Sequence, residues 1–303
     1  MASATRSAYV AWILVCAIWG TTYLAIRIAL ETIPPLLVGG LRFVAAGAVL
    51  AVLLAARGEH LPARATWPGL ALLGFLMIGL GNGGVIWAEQ WVPSGIAAML
   101  VASVPFWTTG LEAMIRGGER ITMRIACGLL AGVGGVLLLV WPDLVAGGVA
   151  GRRFAVGVFA LQIACLGWSL GSVYSRRHAR AENALGAAAL QMLMGGLFML
   201  AVATARGEWA ALAFSRRSAL AELYLTLAGS LAGYSAYVYA LKHLPLSTVS
   251  LYAYVNPVIA VLLGTLLAGE PSGWRMLAAS AVVLAGVVVV QGGRRTAAVK
   301  APA

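Results

Sequence analysis

The sequence predicts an all-α, polytopic membrane protein of ten transmembrane helices, arranged as two inverted five-helix repeats. Three observations carry that expectation. The 303 residues are 61% hydrophobic and only 10% charged, with a mean hydropathy of +0.92, well outside the range of soluble domains. The chain contains ten apolar runs close to the roughly 20 residues that cross a bilayer as a helix. Its two halves also repeat the same order of Trp, Pro, Glu and Arg residues.

The runs fall near 9–30, 35–56, 68–88, 93–115, 122–141, 154–175, 185–205, 219–241, 246–268 and 273–292. The first is too long for a signal-peptide core and ends Leu30-Glu-Thr-Ile-Pro-Pro35 without a small-x-small cleavage site, so it reads as the first membrane helix. Connections are short except for 142–153 and 206–218, which leaves no soluble domain. The net charge of +11 comes from basic residues scattered through short loops, not from a stripe or tail. The expected partner is therefore the lipid bilayer, not nucleic acid. With the N-terminus inside, Arg57, Arg64, Arg176, Arg177, Arg180, Arg294 and Arg295 lie on the cytoplasmic side, against Arg152, Arg153, Arg206, Arg216 and Arg217 opposite. Counted over all loops and tails, Lys and Arg are in excess on the first side, so both termini are expected in the cytoplasm. Trp67, Trp91, Trp141, Trp209 and Trp274 stand near span ends, as an interfacial belt would. Cys16, Cys127 and Cys165 lie in apolar runs, are odd in number and form no C-x-x-C pair, so they read as packing residues.

The repeat is specific. Trp19, Arg27 and Gly47 meet Trp168, Arg176 and Gly196 at an offset of 149 residues. Gly81, Ala88, Pro93 and Pro105 meet Gly233, Ala240, Pro245 and Pro257 at 152. Gly118, Glu119, Arg124, Gly135 and Val136 meet Gly269, Glu270, Arg275, Gly286 and Val287 at 151. The resulting units are 9–142, holding helices 1 to 5, and 153–293, holding helices 6 to 10. An odd number of crossings per unit turns the second upside down, which predicts a twofold axis in the membrane plane and a binding site between the halves near mid-bilayer. Pro105 and Pro257 each follow another proline by 12 residues and sit near the middle of a span. A proline there removes one backbone bond and frees a carbonyl, so both are expected to break their helices beside a cavity.

The Pro-bearing fourth span followed by Gly118-Glu119-Arg120-Ile-Thr122, and the fifth with Ala131-Gly-Val-Gly-Gly135-Val, resemble the EamA-type branch of the drug/metabolite transporter superfamily. So do Ala17-Ile-Trp19-Gly20 and Leu41-Arg42-Phe43. The resemblance spans nearly the whole chain and is greatest to the bacterial amino-acid and metabolite exporters. It implies an inner-membrane carrier of a bacterium, with helices 1, 3, 4, 6, 8 and 9 around a central cavity and 5 and 10 outside. The second half departs from the pattern, with Pro271 after Glu270 and Gln191 where Arg42 aligns.

On those six helices, residues three, four or seven apart share a face. The candidate substrate-binding pairs are Trp19 with Tyr23, Asn82 with Glu89, Ser103 with Trp107, Trp168 with Ser172, Tyr234 with Tyr237, and Tyr252 with Asn256. Rings with polar tips suit a ligand that joins an apolar side chain to a polar backbone. Arg42, well inside the second span, either binds a substrate carboxylate or pairs with an acid or carbonyl. Glu119 and Glu270 precede helices 5 and 10, where a carboxylate complements a helix N-terminus. The small-residue runs 128–135 and 278–286 suit close helix contact, within one chain or between chains, and oligomeric state is left open.

The expected function is a secondary carrier that exports small amphipathic metabolites, amino acids including aromatic ones first among them, with drugs, quaternary amines or nucleosides as the alternative. A membrane-embedded enzyme acting on lipid-linked substrates is disfavoured. His60, His178 and His243 fall in loops, and there is no H-E-x-x-H, nucleophile or phosphate-loop motif, so neither metal nor cofactor is expected. Of the ten acids, Glu89 and Glu112 read as those within or beside a cavity helix, and Leu241 and Gly264 stand at their counterparts. That pattern predicts facilitation down a substrate gradient, with Glu89 the proton site should coupling exist.

Overall fold

The computed structural model describes residues 2–115, 122–145, 148–178, 183–244, 249, 252–270, 273–274, 277–279, 281–286 and 288–289. Among them the chain forms ten helical layers and no strand. Helix α1 is Ala2–Ala29 and α2 is Pro35–Ala56, with Pro35 at the first helical position, where its missing N–H costs nothing. Helix α3 joins Trp67–Leu73, a π-helical Gly74–Asn82, and Gly83–Ala88. Helix α4 consists of Ser94–Val101 and Val104–Met114. Then come α5 (Met123–Val145), α6 (Gly148–His178) and α7 (Ala184–Ala205). Helix α8 repeats the pattern of α3, as Arg216–Tyr224, a π-helical Leu225–Ala232, and Gly233–His243. Helix α9 is Tyr252–Ala268, and residues 277–279, 281–286 and 288–289 belong to α10.

The connection expected over 142–153 is largely helical, because α5 runs on to Val145 and α6 begins at Gly148. Gly118, Glu119, Pro245 and Pro271 lie outside the described residues. Six described stretches are long and apolar enough to cross a membrane, among them Pro35–Ala56 and Ala150–Ser175. Large apolar side chains face outward along the bundle, including Val52, Phe159, Leu266 and Leu130. In water such a surface would drive aggregation; in lipid it costs nothing.

The repeat becomes physical at the contacts between the halves. A Cβ on Gly47 would stand 2.8 Å from the Ala189 carbonyl oxygen and 2.9 Å from the Leu193 amide nitrogen. A Cβ on Gly196 would stand 2.8 Å from the Val44 nitrogen and 3.1 Å from the Gly40 carbonyl oxygen. Advancing Gly40, Val44 and Gly47 by the repeat offset gives Ala189, Leu193 and Gly196, so this is one contact made twice in exchanged roles. Because Gly40 meets Leu200 whereas Gly47 meets Ala189, α2 and α7 run antiparallel, and the twofold axis lies across them. Helices α5 and α10 repeat the device. Gly135 faces Val283, and Gly286 faces Gly128 and Gly132, all within the one chain. The small-residue runs therefore pack α5 on α10, and backbone approach of this kind is what holds helices together where lipid removes the hydrophobic drive.

Of the three cysteines, Cys16 and Cys165 are buried, as packing residues would be, but Cys127 is exposed. Glu270 has a role across the halves. Its carboxylate accepts from the backbone N–H of Ser94 (2.8 Å) and of Gly95 (3.1 Å), so it caps the start of α4, in the opposite half. A Cβ on Gly264 would collide with Glu270 and Ser94, so the glycine lets α9 close on α4.

Candidate functional site

Between the halves lies a cavity whose empty space, with its open mouth included, is about 740 Å³. It is lined by α1 (Trp19, Thr22, Tyr23, Ile26), α2 (Arg42, Phe43), α3 (Gly81, Asn82, Val85), α4 (Val101, Val104), α6 (Ala164, Cys165, Trp168), α8 (Gly229, Tyr234) and α9 (Tyr252, Asn256). Helices α5 and α10 supply none of these residues. Helix α2 does contribute, unlike the expectation, because Arg42 and Phe43 reach in from it.

The π-helical segments position the wall. Each lies at the same place in its repeat, and a π-turn directs backbone N–H groups away from the usual i−4 carbonyls. At equivalent positions, the Met77 carbonyl accepts from Asn82 Nδ2 (3.1 Å) and the Gly229 carbonyl accepts from Trp19 Nε1 (3.1 Å). The two tryptophans are seated alike: Trp168 packs over Gly81, and Trp19 packs over Gly233, where a Cβ would lie 2.7 Å from Nε1. Nothing in the apolar periodicity announced the π-turns; the glycine-rich Gly74-Phe-Leu-Met-Ile-Gly-Leu-Gly81 and Ala228-Gly-Ser230 were their trace in the sequence.

Five rings cluster at this wall. Trp19 lies 6.0 Å from Trp168, 5.1 Å from Tyr237 and 5.1 Å from Tyr252 between centroids, and Tyr237 lies 6.1 Å from Tyr234. Contacts of this kind are worth about 0.5–1.5 kcal/mol each beyond burial. Tyr237 sits behind the wall, against the other four rings. The Tyr234 hydroxyl donates to Gln191 Oε1 (2.8 Å), which ties α8 to α7. Asn256, with its amide oriented to satisfy both groups, donates to the carbonyls of Tyr252 and Cys16, each at 3.1 Å.

Ser103 and Trp107 are placed otherwise. The chain leaves helical form at Ala102–Ser103, and Pro105 starts the second part of α4. Side chains of α6 close this break: Cys165 Sγ bonds the Leu100 carbonyl (3.7 Å), and Ser169 Oγ donates to the Val104 carbonyl (3.2 Å). Trp107 Nε1 donates to Gln162 Oε1 (3.0 Å) and Ser103 Oγ lies 3.4 Å from the same atom, so both residues clamp α4 to α6 and neither lines the cavity. Ser172 donates to the Trp168 carbonyl, back along its own helix. Pro257 does not break its helix; α9 runs through it from Tyr252 to Ala268. The two prolines are thus unlike in structure although matched in sequence.

Of the buried charged residues, Arg42 lines the cavity, and Glu89 and Glu222 lie near enough to act on its charge. Glu89 is wholly buried, the Arg27 guanidinium donates to its backbone carbonyl, and its carboxylate oxygens have no hydrogen-bond partner. Arg42 is 4% exposed; its Nε donates to Ser230 Oγ (3.0 Å) and its Cζ lies 4.4 Å from the Phe43 ring centroid. Glu222, 8% exposed on the first part of α8, was missing from the acids assigned to the cavity helices, although it lies inside the eighth apolar run. Gln162, Cys165 and Ser230 were also unforeseen; single polar residues in a long apolar run were the available signal.

Residues 6–141 and 155–291 each match the EamA-like transporter family. The chain is 38% identical over 277 residues to the uncharacterized inner membrane transporter YedA of Escherichia coli (strain K12), across 91% of this chain and 88% of that protein. It is 25% identical over 302 residues to a probable amino-acid metabolite efflux pump of Salmonella typhimurium, across 95% of this chain and 96% of the pump. A solved crystal structure superposes with a TM-score of 0.67 at 22% identity, covering 97% of this chain and 99% of the other, which supports the fold alone.

Proposed function

Since the chain belongs to the EamA-like transporter family, and is therefore a membrane transporter and not an enzyme, we propose that it is a secondary carrier exporting small amphipathic metabolites by alternating access. Amino acids, aromatic ones included, are the first substrate class. The observation that carries this reading is the cavity between the two halves, whose lining combines tryptophan and tyrosine rings with Arg42, Asn82 and Asn256. Rings take up an apolar side chain, and the polar groups orient the backbone end. The Salmonella relative, a probable amino-acid metabolite efflux pump, agrees with this class. The ring cluster also favours a second reading, quaternary amines, because a desolvated cation binds over aromatic faces. The excess of Lys and Arg in the loops of one side supports an orientation with both termini in the cytoplasm.

The test is flux in vesicles reconstituted with the full chain, using one transported amino-acid tracer. Unlabelled amino acids, nucleosides and quaternary amines compete in turn. Competition by amino acids supports the reading, and flux that only quaternary amines or nucleosides suppress replaces it. Pro105→Ala is expected to alter flux more than membrane insertion, because the break in α4 borders Val101 and Val104 of the cavity.

A further inference from the structure

We propose that Arg42 is the receptor for a carboxylate on the transported molecule, and that Glu222 is the internal acid that balances it without filling that site. This rests on the carrier reading above and names the group by which the cavity would recognise its substrate.

The argument begins with what holds the guanidinium. Ser230 takes Nε, and the Phe43 ring lies under Cζ, so the plane of the fork is fixed. Most of its donors are not spent by these contacts. Nη1 is buried and has no hydrogen-bond partner, which is costly for a charged donor. Nη2 looks past Gly229, where a Cβ would lie 3.8 Å away, and both residues line the cavity. A pre-oriented fork with an unmet donor at a cavity wall matches a carboxylate, which accepts two parallel N–H bonds.

The surrounding charges explain why the fork stays unmet. Glu222 and Glu89 both act on Arg42 through their charge, from α8 and from the end of α3. The carboxylate oxygens of both make no hydrogen bond, so they steady the cation without occupying its donors. The acids balance the arginine; they do not fill its site. At the equivalent position of the second half stands the neutral Gln191, whose Oε1 accepts from the Tyr234 hydroxyl. Recognition is therefore one-sided, with one carboxylate per cavity.

The test compares amino acids with their amides, which keep the side chain and the ammonium group and lose only the carboxylate. Phenylalanine and phenylalaninamide, leucine and leucinamide, and tryptophan and tryptophanamide are titrated against the full chain in lipid nanodiscs, followed by thermal stabilisation. In the wild type at least one acid is expected to bind roughly tenfold or more tightly than its amide, as sites built to bond a polar group discriminate against its loss. Arg42→Gln, which installs the residue found at position 191, is expected to abolish that ratio while the amide still binds, and Arg42→Lys to restore part of it. Glu222→Gln is expected to raise the affinity of the acid severalfold and leave the amide unchanged. Should Arg42→Gln fail to fold, the wild-type pairs and Glu222→Gln decide. The proposal is overturned if no pair prefers the acid, non-binding of all six compounds included, or if Glu222→Gln leaves the acid-to-amide ratio unchanged. Acid preference without vesicle flux would retain Arg42 as receptor and end the carrier reading; flux without acid preference would do the reverse.

Discussion

The packing of α2 on α7 makes a quantitative claim about two glycines. In Gly47→Ala the new methyl would meet the Ala189 carbonyl oxygen at 2.8 Å and the Leu193 nitrogen at 2.9 Å. Both are backbone atoms, so no side chain can swing aside and the helices must part. Overpacking of this kind costs about 1–3 kcal/mol. The exchange also brings the better helix propensity of alanine, about 1 kcal/mol, and a control removes that term. Gly134, also inside a helix, has nothing within 4 Å of its would-be Cβ. The stability of Gly134→Ala minus that of Gly47→Ala therefore isolates the steric cost, expected at about 1–3 kcal/mol, and Gly196→Ala should give a similar difference. The double variant Gly47→Ala with Gly196→Ala should cost less than the two added together, because one separation of α2 from α7 accommodates both methyls. The assay is reversible unfolding in mixed micelles, read by tryptophan fluorescence. Equal stability of Gly47→Ala and Gly134→Ala would refute the close approach, and strict additivity would refute the shared interface.

Three further outcomes are expected. Glu270→Gln should lower stability by about 1 kcal/mol, as loss of a charged helix cap does, and Glu270→Ala by more; unfolding midpoints indistinguishable from wild type would show that the cap contributes nothing. After Cys127, the exposed cysteine, is replaced, single cysteines placed at 57–64 should label from the cytoplasmic face and those at 206–215 from the other; the opposite pattern inverts the orientation. In vesicles with equal substrate on both sides, an imposed pH gradient should drive no sustained accumulation, while accumulation that collapses with a protonophore and vanishes in Glu89→Gln or Glu222→Gln would establish proton coupling.

The fold was legible because its determinants repeat. Trp19 and Trp168, Gly81 and Gly233, and Gly47 and Gly196 matched in the sequence, and each pair makes the same contact twice in the structure. A match at a fixed offset survives when neither its partner nor its depth is known. The site was legible only in part, because helical face-sharing describes one helix at a time. It placed Trp19, Tyr23, Asn82, Trp168, Tyr234, Tyr252 and Asn256 on surfaces that do meet the cavity. The same rule put Ser103 and Trp107 on one face without revealing that Gln162, on another helix, would take both. Pro257 illustrates a different limit. A proline deletes one backbone donor, and whether the helix then breaks depends on its neighbours; α9 continues where α4 gives way. Glu222 stands near the start of the eighth apolar run, where sequence position does not mark a side chain as buried, yet burial of α8 extends nearly to its first turn.

The buried charges have a consequence for how the molecule would work in its two directions. A carrier built from identical halves would pass between states of equal energy, each the other turned over. Here Arg42 and Glu89 have Gln191 and Leu241 as counterparts, and Leu70 lies opposite Glu222 in the repeat. The two ends of the cavity are chemically unlike, so rotation about the axis does not exchange them. Half-saturation measured from one face need not equal that from the other, even for a passive carrier whose equilibrium is the same both ways; turnover numbers then adjust to keep the balance. A transporter of this kind can be slow to load from outside and quick to load from inside without any source of energy other than the gradient itself.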